Sequence, residues 1–341
     1  MKNKATSFGI IVWIFCLTLS VLLIIIIGGI TRLTDSGLSM VDWRPILGTI
    51  PPLSNQDWIN VFEKYKQTPE FLIVNKNIVL EDFKFIFWWE WFHRFFARFI
   101  GIIFIIPFIY FYLKRKLTIK LVLVLILVFI FGFFQAFIGW WMVKSGLTEN
   151  PYVSPYRLTF HLGNAIIIFS ILFWLLLDLY YGNQINQRAS KLIIKFFEFS
   201  LIMIFITILS GSFMSGSGAG KSFNTFPLMN GQIIPEGYYI NYYGWNNIFE
   251  NTVAINFNHR WLATFSFLFI SLIILYLFLT KKQIDKFPLI LVIFFLSLQF
   301  FLGVLTLTYN VPIVLASMHQ TNSTLLLASL FFAYHRYKYL K

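Results

Sequence analysis

Long apolar runs alternate with short polar segments along the whole chain. Runs of about 20 apolar residues, enough for a helix to cross a hydrocarbon core of about 30 Å, occur near residues 8–30, 85–113, 117–143, 157–180, 193–215, 252–279, 287–309 and 313–334. The pattern predicts an all-α integral membrane protein with eight transmembrane helices. One set of connections is short and basic, holding Lys2 and Lys4; Lys114, Arg115, Lys116 and Lys120; Arg188, Lys191 and Lys195; Lys281, Lys282 and Lys286; and Arg336, Lys338 and Lys341. The other set, 31–84, 144–156 and 216–251, is rich in Pro, Gly, Asn and aromatic residues. If the spans alternate, every basic cluster falls on one face. Positive-inside topology makes that face cytoplasmic, with both termini on it and the long loops outside. The first run follows two lysines and carries no small-residue cleavage pattern, so it reads as a retained helix. No Arg-rich amphipathic transit segment precedes it, which points to a bacterial inner membrane.

Composition sharpens this picture. Hydrophobic residues make up 58% of the 341 and charged residues 12%, against roughly half and a quarter in soluble domains. A formal net charge of +13 would suit a nucleic-acid binder, but the basic residues sit between apolar runs, where topology accounts for them. The bilayer is the expected partner and nucleic acid is not. The single cysteine, Cys16, lies in the first run, so neither an intramolecular disulfide nor a thiolate metal site is available. Redox chemistry would need a cofactor.

Against this apolar background, the stretch 85–101, FIFWWEWFHRFFARFIG, stands out. At about 100° per residue, Glu90, His93, Arg94 and Arg98 fall within an arc of roughly 140°, with Ala97 and Gly101 between them. Ionisable groups in a span cost several kcal/mol unless they meet partners inside a bundle, so this face is a candidate functional site.

The face recurs. Glu90-Trp-Phe-His93-Arg94-Phe-Phe-Ala97 is echoed by Asn256-Phe-Asn-His259-Arg260-Trp-Leu-Ala263, and Gln135-Ala-Phe-Ile-Gly139 by Gln299-Phe-Phe-Leu-Gly303. Val153 and Val311 each precede a histidine, His161 and His319, by eight residues, and each histidine is followed three residues later by Asn164 or Asn322. Gly29 and Gly211 each stand sixteen residues before a proline, Pro45 and Pro227. This is a tandem repeat of four helices, predicting two pseudo-symmetric four-helix bundles, residues 1–184 and 185–341, related by an axis along the membrane normal. The four repeated histidines then lie in the outer parts of the second, fourth, sixth and eighth spans.

Paired imidazoles from facing helices of a bundle suit haem iron: His93 with His161, and His259 with His319. A lone histidine would more simply be an interhelical hydrogen-bonding residue; four at repeated positions favour ligands. Zinc fits less well, because each pair would leave the ion under-ligated. Arg94, Arg260 and Arg157 are candidate partners for haem propionates, with snorkelling to the interface as the alternative for Arg157. His335, beside Arg336 and Lys338, reads as interfacial, and Trp88, Trp89, Trp91, Trp140 and Trp141 as belt and packing. The halves differ at Glu90, whose counterpart is Asn256. A carboxylate one turn before a haem-ligand candidate can stabilise positive charge or move a proton, whereas Asp178 and Glu198 lie toward the cytoplasmic ends of their spans. One half would do chemistry on its ligand and the other hold a permanent cofactor.

The segments TRLTDSGLSMVDWRPILGTIPP (31–52), FWWEWFHRFFARFIG (87–101), GWWMVKSGL (139–147), VSPYRLTFHL (153–162), FNTFPLM (223–229), FNHRWLAT (257–264) and VPIVLASMHQ (311–320) together resemble the haem A synthase family over nearly the full length. That resemblance implies oxidation of the C8 methyl of haem O to a formyl group. It further implies His93 and His161 flanking substrate haem O, His259 and His319 ligating resident haem B, and Glu90 as the essential acid. It also implies haem O synthase as substrate donor and cytochrome oxidase assembly factors as partners, and leaves a homo-oligomer open. The chain resembles the cysteine-free proteobacterial and mitochondrial branch, and its Ser215–Lys221 loop departs from the family's more apolar wording. A dihaem b-type electron carrier would also need four bundle histidines, but not Glu90. A transporter would show helices broken at mid-membrane rather than glycines at their outer ends.

Overall fold

A computed structural model of the chain describes residues 8–43, 47–148, 150–182, 190–280 and 285–339. Pro45 and the basic-cluster residues Lys2, Lys4, Arg188, Lys281, Lys282 and Lys341 lie outside the described residues. The chain divides into two compact units, Met1–Leu172 and Phe173–Lys341.

The architecture is all-α, with no strand among the described residues. In the first unit, α1 (Phe8–Leu33) leads to two short helices, α2 (Asn55–Tyr65) and α3 (Pro69–Ile73), and then to α4 (Leu80–Leu113), α5 (Ile119–Gly146) and α6 (Pro155–Tyr181), whose last turns belong to the second unit. The second unit continues with α7 (Lys191–Gly216), the short α8 (Asn247–Glu250), α9 (Thr252–Thr280), α10 (Phe287–Thr308) and α11 (Ile313–Tyr339). Each apolar run of the sequence has become one long helix. Thr118 and Ser190 cap α5 and α7 by accepting from the Leu121 and Leu192 amides, supplying acceptors for first-turn N–H groups that have none within the helix.

Among the described residues, seven helices are long and apolar enough to cross a membrane: α1, α4, α5, α6, α7, α9 and α10. The chain is a multi-pass membrane protein. α11 has the length, but His319, Gln320, Thr321, Asn322, Ser323 and Thr324 run consecutively through it and dilute its apolar character. Large side chains such as Phe133, Leu123, Ile206 and Leu272 face outward, as lipid-facing surface requires. Several buried hydroxyls are satisfied within their own helices, as when Thr18 donates to the Ile14 carbonyl at 2.7 Å.

The long connections between these helices fold into caps. In the first unit, Ser54 and Asp57 make a reciprocal capping box for α2, and Trp58, Phe62 and Tyr65 pack on Phe83, Ile86 and Phe87 of α4. Glu70 is buried beneath this cap. Burial pushes its carboxyl up to about 8; the nearby charge of Glu90 adds to the shift, and a hydrogen bond from Tyr65 opposes it. In the second unit, Asn247 and Asn251 gather the Gly237 and Tyr238 carbonyls, while Phe213, Ala219 and Ile255 form a small core.

The end of α11 corrects one reading. His335 is buried rather than interfacial: it is 1% exposed, its Nε2 lies 3.0 Å from Asp178 Oδ1, and its ring is boxed by Trp174 and Tyr339. The aromatic residues near the helix end supply the enclosure, and Asp178 meets the polar edge that it would otherwise leave unpaired.

Candidate functional site

Each of the four repeated histidines lies against a glycine on a neighbouring helix. A Cβ on Gly28 would sit 3.0 Å from the Cε1 of His93, on Gly139 2.9 Å from His161, on Gly211 3.0 Å from His259, and on Gly303 2.9 Å from His319. No side chain fits there without moving the imidazole, so the missing Cβ sets how closely helix and ring approach. The ring edge is thereby fixed relative to the helix behind it.

A second device holds His161 and His319. Asn164 donates to Gln135 Oε1 at 2.7 Å and to the Phe131 carbonyl at 3.0 Å; Asn322 repeats this with Gln299 at 2.8 Å and Phe295 at 2.9 Å. With each glutamine oxygen so engaged, its amide nitrogen faces the histidine, at 3.2 Å from His161 Nδ1 and 3.3 Å from His319 Nε2. The sequence repeat Gln-x-x-x-Gly with a later His-x-x-Asn is thus one imidazole holder written twice.

Charges lie close by. Glu90 is 2% exposed. Its Oε2 accepts from Ser39 Oγ at 2.7 Å and from the Met40 amide at 2.8 Å, and its Oε1 from Arg94 Nη2. Every partner is a donor, so the pocket is built for an anion. Arg94 also donates to the Met40 carbonyl and lies over the Trp43 ring. Arg157 donates to the Trp141 carbonyl at 2.7 Å and stacks on that ring at 4.4 Å. In the second unit Asn256, fully buried, donates to the Ala219 carbonyl at 2.8 Å, tying down the glycine-rich Ser215–Lys221 segment. Arg260 donates through Nη2 to the Thr225 carbonyl, while its buried Nη1 has no partner.

His161 is within electrostatic reach of His93, and His319 of His259. Among the described residues no group of three or more His, Cys, Asp or Glu could hold a metal ion, so each centre offers an imidazole pair. That donor set fits haem, whose macrocycle supplies the remaining in-plane nitrogens. Buried Nδ1 atoms of His93 and His319 without protein partners and the glycine-backed rings agree with it.

The chain matches the COX15-CtaA family, described as cytochrome oxidase assembly protein, over residues 11–331. The chain belongs to this family. It is 40% identical to the heme A synthase of Nitrosospira multiformis across 98% of this chain and 95% of that one. Against the heme A synthase of Wolbachia pipientis wMel it is 42% identical across 93% and 89%, and against that of Flavobacterium johnsoniae 37% across 98% and 99%.

Within this family member, the structure puts Glu90, His93 and Arg94 on α4, with Ser39 and Met40 brought onto Glu90 by the preceding loop. The reading of residues missed that loop contact, which no spacing signals. It also paired Gly29 with Gly211, whereas the residue backing His93 is Gly28. A glycine pair at 28 and 29 hides the register, because proline spacing is looser than a helix-to-ring contact.

Proposed function

We propose that the chain is a haem A synthase, oxidising the C8 methyl of haem O to a formyl group through two successive two-electron steps, by way of an alcohol, with water supplying the oxygen and the four electrons and four protons leaving to an external acceptor. His93 and His161 flank the substrate, and Arg94 and Arg157 meet its propionates. His259 and His319 hold haem B with Arg260 on a propionate. Haem B, when bound, supplies one-electron transfer. The observation that carries this reading is the anchored carboxylate: Glu90 lies one turn before His93, buried and aimed by Ser39, Met40 and Arg94, whereas the matching position before His259 is a neutral asparagine. Positive charge developing on a methyl carbon in a dry site needs an oriented anion, and Glu90 is one.

In this reading α11 is the eighth span, because its polar run is the haem site itself and its length of 27 residues gives about 40 Å. The units then form two pseudo-symmetric bundles in a bacterial inner membrane, termini cytoplasmic and caps outside. Haem O synthase donates substrate and cytochrome oxidase assembly factors receive product. Pigment extraction with mass identification tests the reading. Purified chain, co-expressed with a haem O source, should yield haem B together with haem O or haem A. Haem B alone, at two per chain, would instead indicate a dihaem electron carrier.

A further inference from the structure

Of the four imidazoles, His259 alone is hydrogen-bonded to a hydroxyl. Ser210 Oγ lies 2.7 Å from His259 Nδ1 and 2.9 Å from the Thr207 carbonyl. A serine has one proton to give, and a carbonyl can only accept, so that proton goes to Thr207. The oxygen lone pair is then left to accept the Nδ1–H of His259. The glutamines at His161 and His319 present amide nitrogens, which only donate, because Asn164 and Asn322 occupy their oxygens. His93 has a buried Nδ1 with no partner; the residue before its backing glycine, where Ser210 stands before Gly211, is Ile27.

We propose that Ser210 is a positioning residue that makes the second unit's haem resident. This rests on the haem B reading above. By accepting from Nδ1 it fixes the tautomer in which Nε2 carries the free lone pair, orients the ring, and raises its basicity as an iron ligand. His93, whose backing Gly28 follows Ile27 instead of a serine, has no such acceptor on Nδ1 and binds its haem exchangeably, as a substrate requires. The same helix position thus separates cofactor from substrate by the presence of one hydroxyl.

The test uses the full chain purified in detergent. Ser210→Ala should weaken haem retention about 10–100-fold, the usual effect of removing a hydrogen-bond partner from a ligating histidine, read as faster transfer of haem to apomyoglobin. Because the more basic imidazole favours ferric iron, a tenfold preference lost raises the midpoint potential by about 59 mV. Ser210→Thr, which keeps the hydroxyl, should stay at the wild-type potential. Wild-type potential and retention in Ser210→Ala would overturn the proposal, as would an equal shift in the alanine and threonine variants, which would assign the effect to packing. His259→Ala separates the two levels. Full haem B retention there overturns the haem reading and this proposal with it, whereas haem loss there combined with wild-type behaviour in Ser210→Ala overturns the proposal alone.

Discussion

The two units place a polar residue one turn before a histidine and use it differently. In the first, Glu90 draws the Ser39 hydroxyl, the Met40 amide and the Arg94 guanidinium onto one carboxylate, so its charge and that of Arg94 offset each other. In the second, Asn256 spends its amide on Ala219, and Arg260, with no acid beside it, turns one nitrogen to a loop carbonyl and keeps the other buried and unpaired. The first arrangement aims an anion. The second turns a cation onto loop carbonyls instead. One frame of glycine-backed imidazoles therefore carries two local charge arrangements.

The largest expected effect comes from erasing that difference. Glu90→Gln keeps size and some hydrogen bonding but removes the charge, and losing one preorganised electrostatic group typically costs about 10²–10³ in rate. The variant should retain haem B and accumulate haem O or the alcohol in cells lacking another synthase; undiminished haem A would end the role given to Glu90. Next, His259→Ala should empty the resident site while His93→Ala leaves haem B bound, read by absorbance of the purified protein. The reverse result would exchange the roles of the units. Gly28→Ala and Gly211→Ala come third. Each forces a methyl onto an imidazole edge, and overpacking of this kind costs about 1–3 kcal/mol. Gly211→Ala should perturb the low-spin haem spectrum, and Gly28→Ala should alter turnover alone; identical spectra in wild type and Gly211→Ala would mean that the ring is not held by this contact.

The smallest effect concerns the first cap, which alone carries a buried acid. Folding raises the Glu70 carboxyl from 4.5 to about 8, so between those values the folded cap binds a proton that the unfolded one has lost. Its contribution is fully present below about 4.5 and disappears as pH rises through about 8. Amide-exchange protection, corrected for the intrinsic pH dependence of exchange, or protease resistance across residues 55–73 should therefore weaken as pH rises, and Glu70→Gln should flatten that dependence.

Much of this was legible beforehand for physical reasons. Lipid demands long apolar helices, so hydropathy alone located α1, α4 to α7, α9 and α10. The helix α11 was found as well, because its flanks are apolar even though its centre is not. The histidines, Glu90 and both arginines after histidines were visible because charge and imidazole are conspicuous in an apolar run. What stayed hidden depends on tertiary approach. Ser39 and Met40 reach Glu90 across 51 and 50 residues; Ser210 looks like any small helical residue; and His335 finds Asp178 across 157 residues. The capped helices α2 and α3 carry local signals, Ser54 with Asp57 and Thr68 before Pro69, but are too short to show the long apolar runs that mark the spans.

The length of α4 has a consequence for biogenesis. Its 34 residues extend about 51 Å, well beyond a hydrocarbon core of about 30 Å, and its first turns serve as the floor of the outer cap. Ser39 and Met40 lie on the connection between α1 and α4, so the carboxylate acquires two of its partners only once that connection has folded. Histidine placement needs helix packing alone. Loss of the fold around Ser39 and Met40 would thus leave the packed histidines in place while depriving Glu90 of two of its three donors.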